Sequence, residues 1–131
     1  MHHGGRRQRW RRRGYSRRAI RFLEPTLLLL LHYGPGHGYT LIDGLGEYGL
    51  QGIDPSAVYR ALRGMEEEGW VTSQWDEEQT QGPPRRVYRL TELGDEALRW
   101  WINDLGDTQA LIETILRTYE RHMEEDQGDH H

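Results

Sequence analysis

Residues 54–69 read Asp-Pro-Ser-Ala-Val-Tyr-Arg-Ala-Leu-Arg-Gly-Met-Glu-Glu-Glu-Gly, a stretch that carries both ends of a helix and so narrows the fold sharply. Asp54 suits the N-cap, where its carboxylate can accept from first-turn amides. Pro55 suits the first helical position, where its missing N–H is not needed, and Gly69 suits the left-handed residue that closes a helix. Between them Val58, Leu62 and Met65 recur at steps of four and three, so one stripe must face a core. Ser56, Tyr59, Arg60 and Arg63 fall on the other side. Guanidinium and hydroxyl groups at that spacing suit phosphate oxygens and base edges, although a solvated amphipathic helix, or one pairing its arginines with Glu66, Glu67 and Glu68, carries the same pattern.

The flanking segments give this helix a context. Upstream, the turn Gly34-Pro35-Gly36-His37-Gly38 separates a first helix, expected from about Pro25 to Tyr33 with Glu24 near its positive end, from a second expected from about Tyr39 to Glu47. The five leucines at 27–31 cover more than one face, which suits contact with the chain's own domain and with a partner surface. Tyr39, Ile42 and Leu45 repeat every three residues while Gly44, Gly46 and Gly49 weaken the second helix, so it must form through tertiary packing. Downstream, Trp70 to Trp75 and Arg86 to Thr91 are β-branched and aromatic, and the intervening Gly82-Pro83-Pro84 cannot continue a ladder. A helix-turn-helix followed at once by a hairpin is a winged helix, here over residues 22–92, and the expected class is mainly α with a small β-hairpin.

A capping signature at Thr91, followed by acids at Glu92 and Asp95, opens the last element. Leu98, Trp101, Leu105, Thr108, Ile112, Ile115, Tyr119 and His122 then alternate steps of three and four, the period of a coiled-coil seam. About thirty helical residues span roughly 45 Å, too far for so small a body to bury. Residues 93–123 are therefore expected to be a C-terminal dimerisation helix, with Leu98, Trp101, Leu105, Ile112, Ile115 and Tyr119 in the seam. Gly106-Asp107 leaves one helix or two open, and residues 124–131 form an acidic, histidine-ended tail expected to fray.

Charge is unevenly placed. Nine of the 17 basic residues, all arginine, lie within residues 1–21, leaving eight against 21 acids and a net of −13 on the remainder. This segment, with Trp10 and Tyr15 among its arginines, lacks helical or strand period and is expected to be a disordered arm. A nucleic-acid tail, a solubilising tail and a cover for the acidic body of its own dimer all fit it. Cysteine and lysine are both absent, no phosphate-cradling glycine motif occurs, and His32 and His37 sit in no nucleophile or acid pattern, so an enzyme is not expected. No apolar run suits a membrane span or a signal peptide, which points to a cytosolic chain without a membrane partner. His2, His3, Asp129, His130 and His131 offer nitrogen and oxygen ligands without a defining spacing, so no metal or other cofactor is assigned and metal sensing stays an alternative. A protein-interaction adaptor on the same scaffold is another.

From about Phe22 to Tyr119 the chain resembles the PadR family of bacterial transcriptional regulators. The matching pieces are the leucine-rich first helix, Gly34-Pro35-Gly36-His37-Gly38-Tyr39, Ser56-Ala57-Val58-Tyr59 with Ala61-Leu62, Glu66-Glu67-Glu68-Gly69-Trp70-Val71, and Gly82 through Thr91. The resemblance implies a homodimeric winged-helix repressor that puts its third helix in the major groove of double-stranded DNA and its wing near the backbone or minor groove. It assigns groove contacts to Ser56, Tyr59, Arg60 and Arg63, phosphate contacts to Arg85 and Arg86, and dimerisation to a single long C-terminal helix, as in the smaller PadR subgroup. It also implies a small planar aromatic effector, for which Trp100 and Trp101, with leucines 27–31, could form a pocket; dimer-core packing of Trp101 is the competing use. Two departures are Arg60, where many members carry proline, and the arginine-rich arm.

Overall fold

The computed structural model describes residues 20–78 and 82–129 and divides into two compact units, one ending at Leu98 and the other beginning at Arg99. Helix α1 occupies 20–33, followed by strand β1 (Gly36–His37), helix α2 (Gly38–Gly46), helix α3 (Pro55–Glu67), strands β2 (Val71–Trp75) and β3 (Arg86–Leu90), and helix α4 (Glu92–Asp129). The strands form one antiparallel sheet in the order β1-β3-β2. This is the winged helix-turn-helix with a long C-terminal helix that the sequence led us to expect.

Helix α3 is closed at both ends as its residues dictate. Asp54 accepts the Ser56 amide at 3.0 Å, and Gly69, at φ +80°, turns the chain so that the Gly69 and Trp70 amides reach back to the Glu66 and Met65 carbonyls at 3.0 and 2.9 Å. The stripe Val58, Leu62 and Met65 is 0–1% exposed. Leu27, Leu28 and Leu31 of α1, Leu41 and Leu45 of α2, Val71 and Tyr88 of the sheet, and Leu98 of α4 are buried with it and make up the core. Each fully buried aliphatic side chain contributes about 1.5–3 kcal/mol, and this burial holds α2 together despite its glycines.

Three expectations are corrected. Helix α1 does not start at Pro25: it is already formed at residue 20, so Ile20 and Arg21 belong to it rather than to an arm, and Glu24 is not at its positive end. Proline denies one amide to the ladder, yet Pro25 is buried and Leu23, 4% exposed, extends the Leu27–Leu31 stripe toward the N-terminus, so packing outweighs the lost bond. Helix α4 runs unbroken past Gly106 and on through Asp129, beyond the expected end at Met123. A mid-helix glycine costs only about 1 kcal/mol relative to alanine, which a long cooperative helix absorbs. The sheet also has a third strand, because Gly36 and His37 pair with Tyr88 and Val87; two residues are too few to leave a periodic signal.

The start of α4 is tied to the end of α3. The Thr91 hydroxyl accepts the Gly94 amide at 3.0 Å and donates to the Gly69 carbonyl at 2.6 Å. Within the second unit, Leu111, Ile112, Ile115, Leu116 and Tyr119 are all exposed.

Candidate nucleic-acid interface

With Val58 and Leu62 turned into the core, the helical period leaves Ser56, Tyr59, Arg60 and Arg63 exposed together on the outer face of α3. Arg60 folds back along its own helix, its Nε donating to the Ser56 carbonyl at 3.4 Å. Among the described residues, no ion pair joins Arg60 or Arg63 to Glu66, Glu67 or Glu68. The Asp54 carboxyl below them is held under its ordinary value, first by the Ser56 backbone N–H and then by the Ser56 hydroxyl, so the cap stays ionised.

Tyr59 has a more constrained place than the other three. Its ring lies across Gly38 at the first turn of α2, where a β-carbon would come within 2.5 Å of Tyr59 Cε1. A glycine is needed there so that α2 and α3 can approach, and Tyr59 is both a packing residue and, at 42% exposure, part of the surface.

Between α3, the start of α2 and the wing lies an open groove of about 620 Å³. Tyr59, Arg63 and Glu66 form its α3 wall, His37, Gly38 and Tyr39 a second, and Trp75, Arg85, Arg86 and Tyr88 the wing wall. Strand alternation explains the third wall: Val71, Ser73 and Trp75 share one face of β2, opposite Leu90, Tyr88 and Arg86. Arg86 stacks 4.6 Å from the centre of the Trp75 ring, and Arg85 lies 5.7 Å from that of Tyr39. Arg86 Nη1 donates to Ser73 Oγ at 3.0 Å, and this hydroxyl donates to Glu66 Oε1 at 2.8 Å. Tyr88, mostly buried, has its phenol pushed above its usual value by burial and then by Glu66, so it stays neutral.

The acids at the start of the wing loop are partly spent. Asp76 pairs with His37 Nε2 at 3.2 Å, accepts the Glu78 amide at 3.1 Å, and gives its own amide to the Arg85 carbonyl at 2.8 Å. Arg85 and Arg86, on the returning side, are exposed.

The groove thus gathers Tyr59, Arg63, Arg85 and Arg86 from the expected set, while Ser56 and Arg60 lie on α3 outside its lining. Tyr39, Glu66, Ser73 and Trp75 were missed. For Ser73 and Trp75 the signal was available, since a hairpin register that aligns Trp75 with Arg86 follows from the two strand segments; for Tyr39 no sequence pattern points to the wing. Trp100 and Trp101 touch edge to face, ring centres 5.3 Å apart, with Trp100 60% exposed. Leu27, Leu28 and Leu31 are spent on the core of the first unit. Leu98, expected in the dimer seam, is 5% exposed within one chain and belongs to that same core. The arginine arm, His2, His3, His130, His131 and the side chain of Asp129 lie outside the described residues. No described helix is long and apolar enough to cross a membrane, and no group of three or more potential metal ligands occurs among the described residues.

Fold and groove together define a winged helix-turn-helix of the DNA-binding class. The sequence profile of the transcriptional regulator PadR-like family matches residues 27–100, and the chain belongs to that family, one of regulators rather than enzymes. A crystal structure of a conserved protein of unknown function, described as a potential transcriptional factor, shares 34% identity at a TM-score of 0.68, covering 79% of this chain and 91% of that one. A structure from Thermoplasma acidophilum, described as a candidate transcriptional regulator, shares 27% identity at a TM-score of 0.67, covering 77% and 96%. Bacillus subtilis PadR, solved in complex with operator DNA, shares 27% identity at a TM-score of 0.54, covering 61% of this chain and 46% of that one. A search of curated proteins finds no match.

Proposed function

We infer that this chain is a cytoplasmic repressor that binds a palindromic operator as a homodimer, with α3 in the major groove and the wing on the adjoining backbone. The observation that carries the reading is the division of α3: one stripe fully buried, the other presenting Ser56, Arg60 and Arg63 exposed, with no ion pair among the described residues tying either arginine to Glu66, Glu67 or Glu68. The Bacillus subtilis relative captured on its operator supports it. Ile112, Ile115 and Tyr119, exposed at coiled-coil spacing, support a second copy as the occupant of the α4 stripe. A two-fold dimer then offers its two α3 helices to half-sites about one helical turn apart, roughly 34 Å.

The test is selection of duplexes from a random pool, followed by binding measurements. Arg63→Ala is expected to weaken the selected site about 10-fold or more if the guanidinium reads a guanine, and to relax preference at that base pair. Enrichment of no sequence would sink the reading. Removing residues 1–19 is expected to flatten the salt dependence of binding by about 0.9 in log–log slope for each phosphate that the arm neutralises in the intact protein. An effector completes the proposal. The exposed Trp100 face, beside Trp101, supports stacking of a planar aromatic compound that releases DNA. A panel of such compounds that changes neither tryptophan fluorescence nor DNA affinity removes the effector from this reading.

A further inference from the structure

Neither wing arginine hangs free. Arg86 stands directly opposite Trp75 in the β2–β3 register and lies 4.6 Å from the centre of the indole ring. It is tethered at its other side through Ser73, whose hydroxyl is passed on to Glu66 of α3 at 2.8 Å. Arg85 is laid over Tyr39 of α2 at 5.7 Å. The two rings hide little of themselves, at 54% exposure for Trp75 and 60% for Tyr39, so core burial does not account for them. Glu66 is equally odd on charge grounds, since an acid in the wall of a groove meant for phosphate repels its ligand.

Both oddities have one explanation. We propose that Trp75 and Tyr39 are splints that hold the Arg86 and Arg85 guanidinium planes in place, and that the Glu66–Ser73 link locks the wing strand to α3, so that Arg85 and Arg86 form one preorganised pair for the phosphates of a DNA strand while Arg63 of α3 is left to the bases. Trp75, Tyr39, Ser73 and Glu66 are positioning residues, not DNA contacts themselves. A long arginine side chain loses much rotamer freedom on binding, and a guanidinium already laid on a ring has lost it beforehand. With one N–H committed to Ser73, the remainder of the Arg86 fork is still available to phosphate oxygens. The inference rests on the DNA-binding reading above and deepens it.

The experiment uses the full chain and a duplex that the wild-type protein itself enriches from a random pool, with affinity measured by fluorescence anisotropy across a salt series and folding checked by thermal melting. Trp75→Ala is expected to weaken binding about 5- to 10-fold and to lower the log–log salt slope by about 0.9, matching Arg86→Ala, whereas Trp75→Phe keeps a ring and stays within about twofold of wild type. Glu66 gives the sharper arm. Electrostatics alone predicts tighter binding for Glu66→Ala; the lock predicts weaker binding, about 3- to 5-fold, with Glu66→Gln restoring it because an amide oxygen still accepts from Ser73. Equal affinities for Trp75→Ala, Trp75→Phe and wild type, or a Glu66→Ala protein that binds more tightly, overturn the proposal while leaving DNA binding intact. A wild-type protein that enriches no duplex overturns both.

Discussion

In the first unit Leu27, Leu28, Val58 and Leu62 are wholly covered by their own chain, whereas in the second Leu111, Ile115, Leu116 and Tyr119 keep 56–63% of their surface exposed. Both segments carry apolar residues at helical period, so periodicity alone does not separate them. What separates them is what lies alongside. Helix α3 has α1, α2 and the sheet to close over its stripe, while residues 99–129 are a single helix with no second element in their own unit among the described residues. A core completes itself; a lone stripe waits for another molecule. On the proposed function the contrast gives stability to one half and assembly to the other, and it can be broken by experiment.

The largest expected effect falls on assembly. Ile115→Glu places two like charges across a symmetric seam, where burying an unpaired carboxylate costs several kcal/mol, so dimerisation should weaken about 100-fold or more by sedimentation equilibrium. DNA affinity should fall with it, because each half-site is then bound separately. A wild-type chain that sediments as a monomer at all concentrations would dissolve the contrast. Next in size is Leu62→Ala, expected to cost about 2–5 kcal/mol of unfolding free energy while leaving the dimer dissociation constant unchanged, as read by urea denaturation beside sedimentation. Should Leu62→Ala loosen the dimer as much as it loosens the fold, the two units are not independent in the way proposed.

The same contrast explains what could be read from the sequence. The ends of α3 were legible because they depend on local chemistry: Asp54, Pro55 and Gly69 act on atoms within a turn of themselves. The stripe of α3 was legible because helical geometry fixes which residues share a face. The start of α1 was not, since Pro25 is a local stop signal overridden by the burial of Leu23, a fact about the rest of the core. Leu98 was misplaced for a related reason: it fits the coiled-coil spacing, but the boundary between covered and open helix falls just after it, and no periodicity marks that boundary. In the groove, Arg63, Arg85 and Arg86 could be named from their chemistry, while Tyr39 joined them only through the approach of α2 to the wing.

A smaller effect sharpens the first half of the comparison. Gly38→Ala should cost about 1–3 kcal/mol, as overpacking does, because the new methyl meets the Tyr59 ring. In a Tyr59→Ala background the penalty should largely vanish, a coupling that a double-mutant cycle measures directly. If the penalty persists without the ring, the constraint at residue 38 is one of backbone conformation and Tyr59 is free to serve the surface alone.

The smallest effect concerns the cap of α3, and its sign follows from ionisation. The folded-state carboxyl of Asp54 lies below its ordinary value, chiefly because the Ser56 backbone N–H donates to it. A group with a depressed folded value stabilises the fold at pH above its unfolded value of about 3.9, and that contribution is lost as pH falls through the lower folded value. Melting curves of wild type and Asp54→Ala should therefore differ by a small constant gap from about pH 5 to 8 that narrows steadily below about pH 4. Asn keeps the acceptor without the charge, so the gap for Asp54→Asn should be smaller at neutral pH and narrow in acid by the same amount, since only the wild-type side chain titrates. A gap for Asp54→Ala that does not narrow in acid means that the cap works through its neutral hydrogen bond and that the pull of Ser56 on the carboxylate adds nothing to the helix that carries Arg60 and Arg63.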